Sequence, residues 1–502
     1  MRHAKHKTKS MKGKILISLI FLCVTINGFS QEQKKILTLE QLIELSREQS
    51  LDAIVAKQRF RADYWEFRSY KAKYLPKFTL NTEFPQFNRS IKNYQNPDGS
   101  YSYIEENYNT SSLNLNMTQN IGFTGGRIFV NSDLQRIDEF GSDHAYSYMS
   151  SPISIGYRQP VLLYNEYKWE KQIEPLKYKE AKKTYLSNLE SATINGINYF
   201  FDLLLAQKNL EIAKANYANA DTLYKISRQR FKIGTIAENE LMQMKLSFLN
   251  AGANMNETKI DLKAAKIRLR SFLGFNENVD IEIIAPDSIS TITINVDNAL
   301  KYVRENNPEL INYEKQLLEA KQQVARAKSE KGLNASLYAS FGLTQKSDEF
   351  NTVYKNPQNQ ESINIGLEIP LVDWGLGKGR YKMAQSNEEL VQTNIKRSEI
   401  EFMQNVALKI MKFNLQDDQV DIKKQASLTA QKRFDISKKR FLVGKLDVLD
   451  LNDASKEKDI EKRNYISSLR SYWVNYFEIR KITLYDFFEQ NALETQYDQI
   501  IE

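Results

Sequence analysis

Cysteine, histidine and long apolar runs are scarce in this sequence, and each scarcity removes a class of function. The chain has one cysteine, Cys23, and three histidines, His3, His6 and His144. A zinc site built from Cys and His ligands, or a cysteine nucleophile, is therefore not expected. The longest apolar run, Ile15–Ile26, is too short for a membrane-spanning helix of about 20 residues. We expect no helical span, no cofactor and no enzymatic activity.

The N-terminus has the composition of a secretory signal peptide. Six basic residues and no acidic ones precede the apolar run, and the small residues Gly28 and Ser30 follow it. This order is typical of a signal peptide, so residues 1–30 are predicted to be removed. Their loss takes the basic residues from 70 to 64 against 62 acidic ones, which leaves a net charge of +2. A nucleic-acid partner is therefore not expected.

The remaining chain repeats itself. Two pairs of segments match at an offset of 210 residues: Ile226–Gly234 with Ile436–Gly444, and Ile153–Pro160 with Ile363–Pro370. A looser pair, which begins at Leu39 and Val296, is 257 residues apart. We therefore predict two tandem repeats, residues 31–285 and 286–502. The offsets of 257 and 210 differ by 47 residues, which indicates an insertion of that length between about residues 81 and 152.

Stretches without proline indicate long helices. Proline is absent from Leu176 to Ala285 and after Pro370, and proline is the strongest helix breaker. Gly234 and Gly444 interrupt these stretches, and glycine just past a helix end is the usual stop signal. Each repeat is therefore predicted to contain a long helix, a tight turn at the glycine and a returning helix. Helices of this length are expected to pack as coiled coils.

Alternating segments indicate strands. In five of them apolar residues alternate with small or polar ones: Phe78–Phe84, Leu113–Met117, Ile153–Tyr157, Leu337–Phe341 and Ile363–Leu367. A period of two predicts a sheet with one apolar face. The second repeat then has one strand pair, at about residues 335–370. The pattern alone also fits a soluble sandwich, but a signal peptide without a helical span favours an outer-membrane barrel.

The insertion carries material for two further strands. Leu113–Ile121 alternates, Thr124–Gly126 supplies a short turn, and Arg127–Asn131 begins another strand-like run. Short turns face the periplasm in membrane barrels, so the first repeat is predicted to contribute four strands to the wall. The alternative is an extracellular cap or plug, which a composition rich in Tyr, Asn and Asp also permits.

The duplicated order of helix, strands, long helix, turn and returning helix resembles the TolC-like outer-membrane efflux family. The helix start at Asn307–Leu310 and the two Arg-Phe-x-x-Gly turns fit the same pattern. The resemblance implies an α+β membrane protein: a homotrimer with one shared outer-membrane β-barrel, continued by a long periplasmic α-helical barrel. A belt of short strands would surround the helices, and Asp280–Ile284 and Thr291–Asn295 are expected to form it.

The function implied by the resemblance is a passive exit duct of a tripartite efflux or type I secretion system. The chain would lie in the outer membrane with a large periplasmic part. Its partners would be outer-membrane lipid, a periplasmic adaptor and, through the adaptor, an inner-membrane pump. The residue pattern alone leaves a second function open, a secreted coiled-coil structural or adhesin protein without a pore.

The resemblance also assigns residues at the helix turns. The hairpin tips, where an adaptor would dock, contain Gly234, Thr235, Gly444 and Lys445. Counting from the turn glycines, the pore-entrance acids fall on Glu240, Asp450 and Asp453. A trimer would turn each acid into a ring of three carboxylates that favours cations.

Helix capping is the competing interpretation of these acids. Thr235 and Glu238 have the spacing of a capping box, and Asp447 can cap the second returning helix. Asp450 would then lie in the first turn of that helix, where the helix dipole favours a carboxylate.

Four aromatic residues follow the descending strands: Tyr164, Tyr167, Trp169 and Trp374. They are candidates for an aromatic girdle at the periplasmic membrane interface. Packing beneath the base of the barrel explains them equally well.

Overall fold

The computed structural model describes residues 33–140, 144–161, 164–275, 279–286, 289 and 291–501. The predicted signal peptide lies outside these residues. The strands are β1 (Gln33–Leu37), β2 (Lys77–Gln95), β3 (Tyr101–Ile121), β4 (Gly126–Glu139), β5 (Ala145–Val161), β6 (Val279–Ile283), β7 (Asn334–Ser347), β8 (Gln358–Glu368), β9 (Tyr485–Asp486) and β10 (Asn491–Ala492). The helices are α1 (Leu39–Glu48), α2 (Leu51–Ala72), α3 (Glu166–Lys232), α4 (Glu238–Phe272), α5 (Val296–Asn306), α6 (Pro308–Glu330), α7 (Leu376–Phe413), α8 (Gln416–Leu442), α9 (Val448–Thr483) and α10 (Tyr497–Ile501). Among the helices described, none combines the length and the apolar composition needed to cross a membrane.

The chain divides into two compact units. The helical unit comprises the residues up to Ala56, Asn188–Ile294 and Lys409–Lys481. The sheet unit comprises Lys57–Ser187, Asn295–Leu408 and the residues from Ile482 onward. Each unit contains parts of both predicted repeats, so the repeat boundary at residues 285 and 286 stays a prediction.

The core of the helical unit follows the helical period. Buried residues of α3 recur three, seven and seven positions apart at Leu203, Ala206, Ala213 and Ala220, which is one face of a helix. Leu469, Tyr472 and Tyr476 form the matching buried face of α9. The parallel pair of β1 and β6 also belongs to this unit.

Two expectations for the helical unit are wrong. The long helix of the second repeat is two helices, since α7 ends at Phe413 and α8 begins at Gln416. Thr291–Asn295 is not a strand, whereas Asp280–Ile284 largely coincides with β6. At the end of α7, the N–H of Leu415 bonds to Lys412 O, three residues back, so the helix ends in a tighter turn. The Asn414 side chain exchanges two hydrogen bonds of 2.9 Å with the main chain of Ile294, whose N–H and C=O are therefore not available to a strand partner.

The sheet unit contains a six-stranded antiparallel sheet in the order β2-β3-β4-β5-β7-β8 and the short antiparallel pair of β9 and β10. The first four strands of the six-stranded sheet lie in the predicted first repeat, so the sheet contains the predicted additional strand pair, whereas its place in a barrel wall stays a prediction. The alternative of a cap is excluded, because β4 is hydrogen-bonded along its length to β3 and β5. The strands β2 and β8 are the edges of the sheet.

The two faces of the sheet differ in polarity. One row of directly opposed residues is apolar: Met117, Val130, Ile155 and Phe341. The next row, on the other face, is polar or small: Asn116, Asn131, Ser154 and Gly342. Apolar side chains such as Phe78, Leu80 and Ile363 are exposed on the first face. We call these the apolar face and the polar face.

The first two strands are longer than the alternating pattern predicts. β2 has 19 residues and β3 has 21, whereas a tilted strand needs about 9–11 to cross a membrane. Ion pairs hold their polar ends together, at 2.7 Å for Arg89 with Glu105 and at 2.8 Å for Lys92 with Glu106.

Candidate functional site

The two helix-ending turns have the same main-chain geometry. Gly234 and Gly444 both have a φ of +76°, in the left-handed region that favours glycine. The N–H of Thr235 donates to Arg230 O at 3.0 Å, and Lys445 makes the equivalent bond 210 residues later at 2.9 Å. With the bond from each glycine N–H, this is the Schellman arrangement, which satisfies the last carbonyls of α3 and α8. We call Ile233–Ala237 and Val443–Asp447 the tip turns.

The returning helices begin in different ways. α4 begins at Glu238, and no side chain caps it. The predicted capping box is therefore wrong, because the Thr235 hydroxyl donates to Arg230 O at 2.9 Å instead. In the second hairpin, Asp447 Oδ1 accepts the N–H of Asp450 at 2.8 Å, which is the predicted cap.

The three candidate entrance acids point into solvent. Glu240 lies in the first turn of α4, Asp450 lies in the first turn of α9, and Asp453 follows it. All three are exposed, and none has an ion-pair partner among the described residues. Within those residues, no three His, Cys, Asp or Glu side chains are grouped to hold a metal ion. The acids therefore offer uncompensated charge rather than a metal site.

An apolar cluster joins α3 of the first hairpin to the second hairpin near the tip turns. Its buried members are Phe434, Phe441, Leu451 and Ala454. Leu223 of α3 packs against them. From the same helix, Arg230 donates to Leu442 O at 3.2 Å and lies 5.8 Å from the centroid of the Phe441 ring. The two hairpins are therefore held together next to their turns by apolar contact and one arginine.

The turn between β3 and β4 is fixed to neighbouring elements of the sheet unit. Asn165 Nδ2, just before α3, donates to Gly122 O and Phe123 O, each at 3.2 Å. Gln159 Nε2 of β5 donates to Thr124 O at 2.8 Å. The inserted strand pair is therefore anchored at the end of the sheet where β5 leads into α3.

The four aromatic girdle candidates lie in different environments. Three are half-buried around the start of α3: Tyr164, Tyr167 and Trp169. The Tyr167 ring meets that of Tyr74 edge to face at 5.7 Å, so packing accounts for it. Trp374 is 96% exposed. Phe123, which is not among the candidates from the sequence, is 94% exposed. Only these last two have the exposure that an interfacial anchor requires.

The turn that carries Trp374 is well defined. The Asp373 carboxylate accepts the N–H groups of Gly377 at 2.8 Å and Gly375 at 2.9 Å. These bonds hold the pKa of Asp373 below its usual range. Trp374 itself has a φ of +53°, a conformation that surrounding structure must enforce. Its exposed indole is therefore presented from a fixed turn.

Comparison with known sequences places the chain in one family. The family is described as outer membrane efflux protein, and its sequence model matches residues 42–275 and 299–482. Outer membrane protein TolC of Salmonella enteritidis is 22% identical over 306 residues, and that of Escherichia coli strain K12 is 20% identical over 309. The alignments cover 59% of this chain and 62% of each relative, just under two thirds of their length.

Solved outer-membrane channels have the same fold. The Campylobacter jejuni CmeC channel has a TM-score of 0.64 at 16% identity, over 92% of this chain and 88% of that one. The OprN channel has a TM-score of 0.63 at 15% identity, over 89% of each chain. The open-state MtrE channel of Neisseria gonorrhoeae has a TM-score of 0.57 at 12% identity, over 91% of each. Because the family model covers well over half of the chain, the protein belongs to the outer membrane efflux protein family, whose members are TolC-like channels, not enzymes, of the outer membrane with a large periplasmic helical part.

Proposed function

We propose that three copies of this chain form a passive exit duct, which conducts solutes from a periplasmic adaptor and an inner-membrane pump to the exterior. The observation that carries the proposal is the sheet, with its exposed apolar face, its polar face and its two open edges. Lipid cannot pair main-chain N–H and C=O groups, so an open sheet edge is not tolerated in a bilayer. The edges must therefore find partners.

A second copy of the chain is the partner that fits these edges. β2 begins at the end of the sheet where β8 finishes, so β8 of one copy can pair with β2 of the next in antiparallel fashion. Three copies with six strands each would close a barrel of 18 strands. Barrels of about 16–18 strands leave an aqueous channel.

Exposed stripes on the helices support contact between copies. On α4, the apolar residues Leu246, Ile260 and Ile267 are exposed at multiples of seven positions. Ile422 and Ile436 of α8 have the same spacing. Apolar residues at heptad spacing are typical of helices that pack against each other. In the proposed homotrimer, these stripes meet between copies and form the α-helical barrel of the periplasm.

The tip turns are the proposed docking site for the adaptor. Gly234, Thr235, Gly444 and Lys445 are all exposed there. The Glu240, Asp450 and Asp453 rings would lie at the same end and favour cations.

The assembly and the channel can be tested on the purified chain. We expect it to fractionate with the outer membrane, to have the mass of three chains in detergent by light scattering, and to conduct ions in a planar bilayer. A secreted structural or adhesin protein would instead be found outside the outer membrane and would not conduct.

The orientation can be tested with single cysteines, because Cys23 lies in the predicted signal peptide and the mature chain has no other cysteine. Thr235→Cys and Lys445→Cys are expected to crosslink to the adaptor in intact cells. Ser100→Cys, in the turn between β2 and β3, is the control and should react with an impermeant thiol reagent added outside. Labelling of Thr235→Cys from outside would contradict the assignment.

A further inference from the structure

The strands of the described sheet contain four arginines, of which two are neutralised. Arg89 and Arg136 each have a carboxylate oxygen within 2.7 Å. Arg127 and Arg158 have no carboxylate within ion-pairing distance in the part of the chain that the structure describes. These two guanidinium groups therefore keep their full charge.

The two unneutralised arginines are direct neighbours on the polar face. Arg127 of β4 is opposite Arg158 of β5 in the ladder, which places their Cβ atoms about 5 Å apart. The next pair along the two strands, Ile128 with Tyr157, belongs to the apolar face. Like charges directly opposite each other destabilise a sheet. Stabilisation of the sheet therefore does not explain why two arginines lie opposite each other here.

Arg158 is held in position by aromatic contacts. Its guanidinium carbon lies 5.5 Å from the centroid of the Tyr338 ring, within the range of a cation–π interaction. The Tyr338 ring stacks on Phe129 with 5.6 Å between centroids. Phe129 can lie there because position 156 is Gly156, where a Cβ would be 2.1 Å from the ring. Arg127 is held by a different contact, since its Nε donates to Asn120 Oδ1 of β3 at 3.0 Å.

Acidic residues on the polar face are too far away to cancel this charge. Asp133 shares the strand of Arg127 but lies six residues farther along it, a distance of about 20 Å. Glu368 is at the end of β8, two strands away from Arg158. Salt screens exposed charges beyond about 8–10 Å, so the local potential at the pair is positive.

We propose that Arg127 and Arg158 form an anion-attracting site on the wall of the duct, for solutes that carry carboxylate or phosphate groups. The proposal rests on the proposed duct, because only a closed barrel turns the polar face toward a lumen. Guanidinium groups bind these anions through paired N–H donors. Three copies would give a ring of six charges, an arrangement that selects anions in pores. Arg127 belongs to the inserted strand pair, so the second repeat has no equivalent.

The test measures reversal potentials of the purified full-length mature protein in a planar bilayer with a KCl gradient. The ratio of chloride to potassium permeability is expected to fall about threefold or more in the double variant Arg127→Gln/Arg158→Gln. The double lysine variant, which keeps the charge, should stay close to the parent. Arg136→Gln is the matched control, because Arg136 is ion-paired and lies on the opposite face of the same strand.

A second readout uses inorganic pyrophosphate as the anionic probe. Added to one side of the bilayer, it should reduce the current of the parent channel more than that of the double glutamine variant. If all variants conduct with the parent's permeability ratio and the same sensitivity to pyrophosphate, the proposed site is wrong and the duct stands. If the parent forms no trimer and no channel, the duct itself is wrong.

Discussion

The helical unit and the sheet unit differ in where their largest apolar side chains lie. In the helical unit, large side chains such as Phe200, Leu203 and Tyr472 are fully buried. In the sheet unit, Phe78, Leu80 and Ile363 point outward from one face and are exposed. Burial in a protein interior and exposure to lipid are both ways to remove apolar surface from water. In the proposed duct, the buried side chains of the helices are shielded by protein, whereas the exposed side chains of the sheet would be shielded by lipid.

The two units also differ in how closely the predicted first and second repeats resemble each other. The tip turns, 210 residues apart, have the same φ at both glycines and equivalent main-chain hydrogen bonds. The sheet has four strands from the predicted first repeat and two from the predicted second repeat. A helix-ending turn needs one residue in a left-handed conformation and tolerates little change. A sheet extends whenever an alternating strand pair joins its ladder, so an insertion is accepted there.

The largest loss of stability is expected from a substitution of Glu190, inside the helical unit. Its side chain is 4% exposed and meets Arg47 at 2.6 Å and Arg480 at 3.1 Å. Glu190→Ala would leave two guanidinium groups facing each other, at a cost of about 3–5 kcal/mol. Thermal unfolding of the purified protein measures the loss. Asp221→Ala, which breaks an exposed ion pair on the same helix, should cost less than about 1 kcal/mol. Equal losses would show that interior charge pairing does not hold this unit.

The next largest loss is expected when an arginine is placed on the apolar face of the inserted strand β4, but not when it is placed on the polar face. Val130 lies on the apolar face between Met117 and Ile155, and Asn131 lies on the polar face. Val130→Arg is expected to cost about 2–4 kcal/mol per copy if the site lies near the middle of the bilayer, whereas Asn131→Arg should be tolerated. The yield of assembled trimer in outer-membrane fractions is the measurement. The same yield for both variants would mean that β4 does not face lipid.

A smaller loss of stability is expected when the glycine of either tip turn is replaced by alanine. No atom lies within 4 Å of a Cβ placed at Gly234 or Gly444, so an alanine there adds backbone strain without a clash. Each substitution is expected to lower the free energy of unfolding by about 1–2 kcal/mol. The loss should be the same at both turns. Gly379→Ala in α7, where space is also free, should stabilise by up to about 1 kcal/mol. Unequal losses in chemical unfolding would break the equivalence.

The smallest effect on stability is expected at the entrance acids. Since Asp447 supplies the cap of α9, the double variant Asp450→Ala/Asp453→Ala should change stability by less than about 1 kcal/mol. It should nevertheless reduce the cation preference of single channels. Asp447→Ala should do the reverse, with a loss of about 1 kcal/mol and unchanged selectivity. A large loss of stability in the double variant would favour the capping interpretation.

The features that could be predicted from the sequence depend on local main-chain rules. Glycine at a helix end and alternation in strands are recognised within a few residues, and the absence of proline is read directly from the chain. They correctly located the turns at Gly234 and Gly444 and all six strands of the sheet. The helix start expected at Asn307–Leu310 is also present, and the Asn307 side chain caps α6 by accepting the N–H of Glu309 at 2.8 Å.

The features that could not be predicted depend on partners distant in sequence. The break between α7 and α8 coincides with the bonds of the Asn414 side chain to Ile294, 120 residues away. The capping box failed because a carbonyl of the preceding helix competes for Thr235. The Arg127–Arg158 pair depends on strand register, which the alternation of residues does not specify.

In the proposed duct, β8 of one copy pairs with β2 of the next, and three copies close the sheet. Cysteine pairs across this edge test it most directly, because the mature chain has no other thiol. Asn81→Cys in β2 can be combined with a cysteine at Ser362, Asn364 or Gly366 in β8, which covers three registers on the polar face. After oxidation in outer membranes, we expect one of these pairs to give a covalent product with the mass of three chains. Monomer alone at every register, or ladders longer than three chains, would contradict the closed trimer.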